Sequence, residues 1–578
     1  MSRSFPSIDK PWLSHYTDDE LHYEFTRQNM YDAIHHEKEW EEQEALDFFG
    51  TKICYGKLYA EIDRAARAFA QHGVGKGDVV SLMLPTMPET IYAVYALNRL
   101  GATANMIDVR NTPKQLKACL DRVHSKLLVI MAFSLKEVDT IREELGVEKI
   151  IILRECESVA PFVTYIYKVG EWFSGRRRVA KSSDKYLFWG DFIQDEKHLE
   201  HLPADTADTH DDAMIFQTSG TTGMPKSVVH SSYNINNSAY YFRFTLHQPQ
   251  PADKVLCIMP AFALFGFITN VHMALMHKMR IALIPLFEVH RFAQILHRYR
   301  PNHLFGVPSM WGSLCRTIMP DADLSFIKSI HVAGEVLSAE LQDNVNTMLK
   351  NHGSEARLCI GYGMTETGGG ISALIPDRCK CHDAATGRVG IPLPYANVSI
   401  RDYDSGQELP YGEVGEICVQ SPIALLRYYG NDEATSRLRH VDSNGQEWLH
   451  TGDSGRMDED GCLYIVGRNK RMIVTHDGTK LFPIEIESVI STHADVTECA
   501  VVPMPDPQHH NCHAACALVV VREGADSQAM AETLRLLCQQ KLPFHLQPSS
   551  IQLVSALPHT MTGKVDVKKA EKLLRHGS

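Results

Sequence analysis

Nowhere in this sequence does an uninterrupted apolar run approach the roughly 18 residues of a membrane-spanning helix, so no such span is expected. Residues 1–16 lack an apolar core followed by a small-residue cleavage site, and they do not read as a secretory leader. Positive charge is not in excess. The chain carries 58 Lys and Arg against 70 Asp and Glu, a net charge of −12. That is the wrong balance for a protein whose main task is to neutralise nucleic-acid phosphates, although a locally basic nucleotide pocket is compatible with it. The 14 cysteines are scattered and form no short disulfide-dense module. They are expected to act mostly as small buried hydrophobes in a reducing cytoplasm. Fixed-period repeats and low-complexity tracts are also missing.

What remains is the composition of a folded protein, 44% hydrophobic and 22% charged. At 578 residues the chain is too long for one ordinary core, so two or more domains are expected. Leu58, Ile62, Ala65, Ala66 and Phe69 recur at helical spacing over residues 57–72, followed by a glycine turn at 73–77 and an apolar strand at 79–84. Further apolar strands are read at 127–131, 149–153, 255–259, 280–284, 303–307 and 329–332, with helical patterns between many of them. Short, nearly continuous apolar strands separated by helices imply parallel sheets covered on both faces, an α/β architecture. Beyond about residue 385 the texture changes. Gly387, Gly390, Gly406, Gly412 and Gly415 punctuate short alternating runs, which suits a small antiparallel or barrel-like β unit. The charged segment Gly467-Arg468-Asn469-Lys470-Arg471 then precedes a last compact αβ region, and the main domain boundary is placed between 469 and 470.

The most informative stretch is Gln217-Thr218-Ser219-Gly220-Thr221-Thr222-Gly223-Met224-Pro225-Lys226. Two glycines let the backbone approach an anion, hydroxyls and N–H groups donate to phosphate oxygens, and Lys226 brings a full charge. Pro225 stands where a Walker loop has glycine before its lysine, so this is a different kind of loop. Composition alone also suits an ordinary polar surface turn.

The run 218–226 resembles the signature loop of the adenylate-forming enzymes, which include acyl- and aryl-CoA ligases, beetle luciferases and peptide-synthetase adenylation domains. Five further segments match in the family's order, so the resemblance covers residues 50–570 or thereabouts. Gly334-Glu335 resembles the segment lining the adenine pocket. Gly361-Tyr362-Gly363-Met364-Thr365-Glu366 resembles the motif whose aromatic stacks on adenine, whose threonine meets phosphate and whose glutamate holds Mg²⁺. Asp453 in Thr451-Gly452-Asp453 and Arg468 in Gly467-Arg468 match residues that reach the ribose hydroxyls. Lys564 in Leu557-Pro558-His559-Thr560-Met561-Thr562-Gly563-Lys564 matches the catalytic lysine.

The resemblance implies a large N-terminal domain over 1–469, built of two helix-covered parallel sheets plus the small β unit, and a mobile α+β C-terminal domain over 470–578. It implies ATP, Mg²⁺ and CoA as ligands, activation of a fatty or other hydrophobic acid to acyl-AMP, and transfer to the CoA thiol. The catalytic set is Thr221, Lys226, Glu366 and Lys564, with Glu366 as the metal ligand. Thr218, Ser219, Gly220, Thr222 and Gly223 join them around the nucleotide. A carboxylate attacking the α-phosphorus needs no general base, because the obstacle is the approach of an anion to a polyanion; fixed positive charge answers it. For the second step the family turns its C-terminal domain about a hinge matching Lys470 and brings in a glycine loop matching Gly478.

The chain departs from the family at Ser227, where glycine is usual, at Ala263, where CoA ligases often carry histidine, and at Val474, where lysine is common; one extra residue precedes Gly478. The segment Pro260-Ala261-Phe262-Ala263-Leu264-Phe265-Gly266 resembles the border of the acyl pocket, and Phe262, Ala263, Phe265, Met310 and Trp311 are candidates for its wall, although such residues serve equally as plain core. Pro11-Trp12-Leu13 resembles the lead-in of long-chain ligases. A carrier-protein thiol as acceptor, a stop at acyl-AMP and a non-catalytic nucleotide-binding regulator are the alternatives. Residues 165–178 mix aromatics with basic side chains and read as a solvated insertion, with an anionic membrane surface as the alternative contact. The runs His509-His510-Asn511-Cys512-His513 and Cys379-Lys380-Cys381-His382 lack a second paired half and are read as incidental rather than zinc-binding.

Overall fold

The computed structural model describes residues 4–154, 157–158, 185–194, 207–218, 225–285, 287–335, 337–376, 378, 387–475, 480–506, 509, 513–522, 527–559 and 565–576. All that follows concerns those residues. The loop 219–224, Gly478, Lys564, the whole 165–178 insertion and the two runs 379–386 and 510–512 lie outside them.

The strands read from the sequence form two sheets. In the first, Asp212–Gln217, Thr103–Met106, Val79–Met83, Leu127–Met131, Lys149–Leu153 and Tyr186–Phe188 lie side by side in parallel, and Ser227–Ser231 and then Arg427–Tyr428 extend one edge antiparallel. In the second, the parallel strands run in the order Glu44–Phe48, Arg280–Leu283, Lys254–Cys257, His303–Gly306, Ser329–Val332 and Leu358–Met364. Their apolar runs are continuous because each strand serves two cores. Leu127, Val129 and Met131 enter the core between the sheets, while Leu128 and Ile130 face the outer one. Val255 and Cys257 join that central core, whereas Leu256 and Leu304 belong to the outer core of the second sheet.

Helices fill these layers. The helix Tyr55–Gln71 buries Leu58, Ile62, Ala65, Ala66 and Phe69 on one face, as the spacing requires. It begins two residues ahead of the sequence reading, where the buried Tyr55 donates its hydroxyl to the Met279 carbonyl at 2.7 Å. It shares the central core with Pro88–Arg99 and Ser232–Phe242; Pro113–Val123 covers the outer face of the first sheet, and Phe292–Tyr299, Pro308–Thr317 and Ala339–Asn351 cover that of the second. One interval escaped the sequence reading: Phe267–His272 is a π-helix. It is locked by a buried chain in which Tyr95 Oη meets His272 Nδ1 at 2.8 Å and His272 Nε2 meets Asn236 Oδ1 at 2.7 Å.

The glycine-punctuated stretch is antiparallel, and it continues the second sheet. Gly369–Leu374 pairs onto Leu358–Met364 and Arg388–Pro392 onto Gly369–Leu374, and Leu463–Arg468, Glu447–Met457, Gly415–Gln420 and Asn397–Arg401 follow. A small C-terminal α+β unit closes the chain. Its three-stranded sheet of Val496–Pro505, His513–Val521 and Ser550–Leu553 carries the helices Pro483–Ile490, Ser527–Lys541 and Val567–His576. No helix among the described residues is long and apolar enough to cross a membrane.

Candidate active site

The carboxyl ends of the parallel strands gather the candidate residues, the usual ligand position in open α/β sheets. Gly306, Val332 and Ile360 are neighbours in register, so Gly334-Glu335 and Gly361-Tyr362 leave adjacent strands together. Gly361 sits against Ala333, where an added Cβ would lie 3.7 Å from that residue's own. Gly363 has no freedom to be anything else: a Cβ there would stand 1.9 Å from the Gly369 carbonyl oxygen of the paired strand. Gly334 and Glu335 are exposed, as a lining requires, and Thr365 is half-buried.

Tyr362 and Asp453 are buried, and the tyrosine hydroxyl donates to Asp453 Oδ2 at 2.7 Å. Arg468 lies opposite Asp453 in the antiparallel pair, and its Nε donates to Asp453 Oδ1 at 2.9 Å from a side chain that is 59% exposed. Burial first, and then the Asp453 charge, push the Tyr362 phenol well above its ordinary pKa, so it stays a neutral donor. The turn ahead of Asp453 is held from behind. Glu416 accepts from the Gly452 N–H at 3.0 Å and from His450 Nδ1 at 2.9 Å, and Thr451 donates its hydroxyl to the Ile417 carbonyl at 2.7 Å.

A second cluster forms around Glu366. Its backbone sits in the single turn Thr365–Thr367, pinned by the Leu425 N–H to the Glu366 carbonyl at 2.9 Å and by His230 Nε2 to the Thr365 carbonyl at 2.9 Å. Burial lowers the His230 pKa to about 4, so its ring is neutral. The Glu366 side chain accepts the Tyr428 hydroxyl at 2.8 Å, and Lys226 Nζ lies 4.3 Å from the centre of the Tyr428 ring. Burial lowers the Lys226 pKa; the Glu366 charge opposes this, while Lys470 and Arg437 push the same way.

Both ends of the loop 219–224 are tied together. The Thr218 N–H donates to the Lys226 carbonyl at 2.9 Å and the Lys226 N–H to Thr218 Oγ1 at 3.0 Å. Ser227 donates to Gln217 Oε1 at 2.9 Å and accepts from Arg122 at 3.2 Å, while Arg122 also reaches the Pro225 carbonyl. The buried Asn105 then takes the Gln217 amide at 2.9 Å. The hydroxyl that replaces the family's glycine is therefore a fixed member of the loop's base.

Among the candidate wall residues, Phe262 is half-buried beneath the Arg110 guanidinium, 5.7 Å from its ring centre. Ala263 caps the short turn Leu264–Gly266, and Gly266 is obligatory, since a Cβ would meet the Pro260 carbonyl oxygen at 2.2 Å. Phe265 belongs to an aromatic row, 6.3 Å from Phe242 and 6.2 Å from Phe305, which stacks on the buried His331 at 4.6 Å. Met310 is half-buried. Trp311 is fully buried against Phe292, inside the outer core of the second sheet.

Lys470 is exposed in the turn Asn469–Arg471. On one side of it Ser454 donates to Asn469, and on the other Arg471 reaches Glu487 and the Val501 carbonyl. Tyr428, His230, Glu416 and Arg122 were not singled out in the sequence. Each acts through a partner 34 to 135 positions away, such as Glu416 with His450 and His230 with Thr365, and no local pattern marks such pairs.

Residues 34–429 match the AMP-binding enzyme family, and residues 485–564 match the AMP-binding enzyme C-terminal domain. The long-chain-fatty-acid–CoA ligase of Bacillus subtilis (strain 168) is 26% identical over 562 residues, covering 96% of each chain. The 4-coumarate–CoA ligase CCL1 of Humulus lupulus is 26% identical over 524 residues, 88% of this chain and 87% of that one. Among solved structures, the anthranilate CoA ligase AuaEII in complex with anthranoyl-AMP superposes with a TM-score of 0.79 at 22% identity, covering 95% of this chain and 98% of the other.

Proposed function

The chain belongs to the AMP-binding enzyme family, and from that premise we propose that it is an AMP-forming acyl-CoA ligase acting on a hydrophobic carboxylic acid. In the first step a carboxylate oxygen attacks the α-phosphorus of ATP; the bond to the bridging oxygen breaks and pyrophosphate leaves. In the second, the CoA sulfur attacks the acyl carbon, giving the thioester and AMP. The observation that carries this reading is that Tyr362 and Glu366, four positions apart on one strand and the turn after it, each head a bonded set, Tyr362 with Asp453 and Arg468 and Glu366 with Tyr428 and Lys226.

Tyr362 with Gly334, Glu335, Gly361 and Gly363 receives the adenine, and Asp453 with Arg468 takes the ribose hydroxyls. The loop from Thr218 to Lys226, with Thr365, holds the phosphates, and Lys564 adds positive charge during attack. Glu366 supplies a buried carboxylate of the hard-oxygen type that suits Mg²⁺, whose bound form neutralises phosphate charge as pyrophosphate departs. The chain's own residues orient the nucleotide, exclude water around Tyr362 and set the charges that meet it.

The division at 469/470 has physical support. Asn469 is anchored to the large body through Ser454, Arg471 to the small unit through Glu487, and the apolar clusters of the small unit draw on no residue before Ile473. Lys470 is the position between these anchors, and it serves as the hinge that exchanges Lys564 for the loop carrying Gly478. Phe262, Ala263, Phe265 and Met310 border the acid's apolar part, with the row reaching Phe305 behind them. Trp311 backs that wall from the core. A hydrophobic acid, aliphatic or aromatic, fits such a border, and the long-chain and coumarate ligases named above bracket that range. The enzyme works in the cytoplasm on small-molecule acid, ATP and CoA.

The test is a panel of carboxylic acids of graded length and aromaticity, scored twice. Acid-dependent exchange of labelled pyrophosphate into ATP reports adenylation, and CoA-dependent AMP release reports the thioester step. Exchange without CoA-dependent release for every acid would overturn the CoA assignment; no exchange with any acid would overturn the ligase assignment itself.

A further inference from the structure

Tyr428 touches both charged groups of the phosphate end, and neither the loop motif nor the glutamate motif contains it. It is 2% exposed and closes the strand Arg427–Tyr428, paired to Val228 two positions after Lys226. Its backbone is immobilised on both sides. The Tyr428 N–H donates to Thr435 Oγ1 at 3.0 Å, and the Tyr429 N–H donates to the Ser227 carbonyl at 2.8 Å. From that fixed position the hydroxyl donates to Glu366 Oε1 at 2.8 Å, and the ring face carries the Lys226 ammonium at 4.3 Å.

Lys226 and Glu366 thus meet one side chain by different parts, the ammonium at the ring face and the carboxylate at the hydroxyl. A direct Lys226–Glu366 ion pair would have to be broken by an incoming phosphate. The tyrosine gives each group a neutral partner instead, a hydroxyl donor for the carboxylate and a π-face for the ammonium, and each keeps its remaining bonding capacity.

We propose that Tyr428 is a positioning residue of the adenylation site, which holds Glu366 and Lys226 as separate groups, one at its hydroxyl and one at its ring face, for the metal-bound triphosphate. What those charges receive rests on the ligase reading above; that one ring separates them does not.

The experiment compares the full chain with Tyr428→Phe, which keeps the ring and removes the hydroxyl, and Tyr428→Leu, which removes both. Calorimetry reads ATP binding with Mg²⁺ and with a chelator present, and thermal melting reports the fold. With Tyr428→Phe, binding of MgATP is expected to weaken about 10-fold, the usual worth of a hydrogen bond to a charged group, while metal-free ATP shifts by less than about twofold. Tyr428→Leu is expected to weaken both. Unchanged MgATP binding in Tyr428→Phe, or equal weakening of the metal-bound and metal-free forms, overturns the proposal. Absent acid-dependent exchange in the unaltered chain would instead sink the ligase reading and leave the binding comparison standing.

Discussion

Two clusters in this molecule use the same bond and balance their charge differently. In one, Tyr362 donates to Asp453, and Arg468 closes directly on the same carboxylate. In the other, Tyr428 donates to Glu366, and Lys226 rests on the tyrosine ring instead of on the carboxylate. In the first, cation and carboxylate meet directly, and the proposed function assigns that end to the nucleoside. The second keeps its positive and negative charges separate, with Lys470 and Arg437 adding to the field at Lys226. Such an arrangement suits a ligand that brings both phosphate charge and a cation. Preorganisation therefore takes two forms in these clusters, satisfied polarity in one and reserved charge in the other.

The largest effect is expected outside both clusters. Lys564→Ala should slow adenylation by about 100- to 1,000-fold, the range for losing one donor to developing charge, while thioester formation from preformed acyl-AMP is spared. Equal loss of both half-reactions would remove Lys564 from the phosphate end and leave the comparison lopsided.

Asp453→Ala should come next. It leaves the buried Tyr362 hydroxyl without its acceptor and removes the carboxylate assigned to the ribose, and the two losses together should cost about 100-fold in kcat/KM for ATP, read from initial rates at varied nucleotide. A small effect there would mean that the neutralised cluster does not meet the nucleoside. Arg468→Ala sharpens the point, because this arginine sits at the exposed rim. A rise of about fivefold in KM for ATP with kcat held is expected, in keeping with the weaker worth of an exposed ion pair.

Ser227→Gly restores the family's usual residue and removes the hydroxyl link between Gln217 and Arg122 at the base of the loop. The expected change is about threefold in KM for ATP, with a melting temperature within a degree or two of the unaltered chain. An improvement in turnover would show that the serine braces the loop at some expense to catalysis.

Much of the frame was legible beforehand because its signals are local. An unbroken apolar strand of five residues between helices can only be buried on both faces, and Leu127–Met131 divides its side chains between two cores accordingly. Gly363 and Gly266 stand where a strand or turn crosses backbone at contact distance, a requirement that only the neighbouring segment reveals. The glycine-rich stretch beyond residue 385 was legible as antiparallel strands, yet its continuity with the second sheet was not, because alternation fixes a strand's faces and says nothing about which edge it joins. The π-helix at Phe267–His272 was hidden for a related reason: a five-residue turn leaves the apolar pattern almost unchanged, and what locks it is Tyr95 and Asn236 from other elements.

Residue types and spacing along the chain thus determined the strands, the helices and the candidate phosphate loop, and the resemblance to a family marked Tyr362, Glu366, Asp453 and Arg468. Tertiary structure alone decided that Tyr428 stands between Lys226 and Glu366, that Glu416 and His450 support the turn before Asp453, and that Arg122 holds the loop's base through Ser227. The physical reason is range. Hydrophobic periodicity and turn chemistry act over a few residues, whereas the charge of a buried carboxylate is set by whichever side chains the fold brings within about 3 Å of it, and those come from anywhere in the chain.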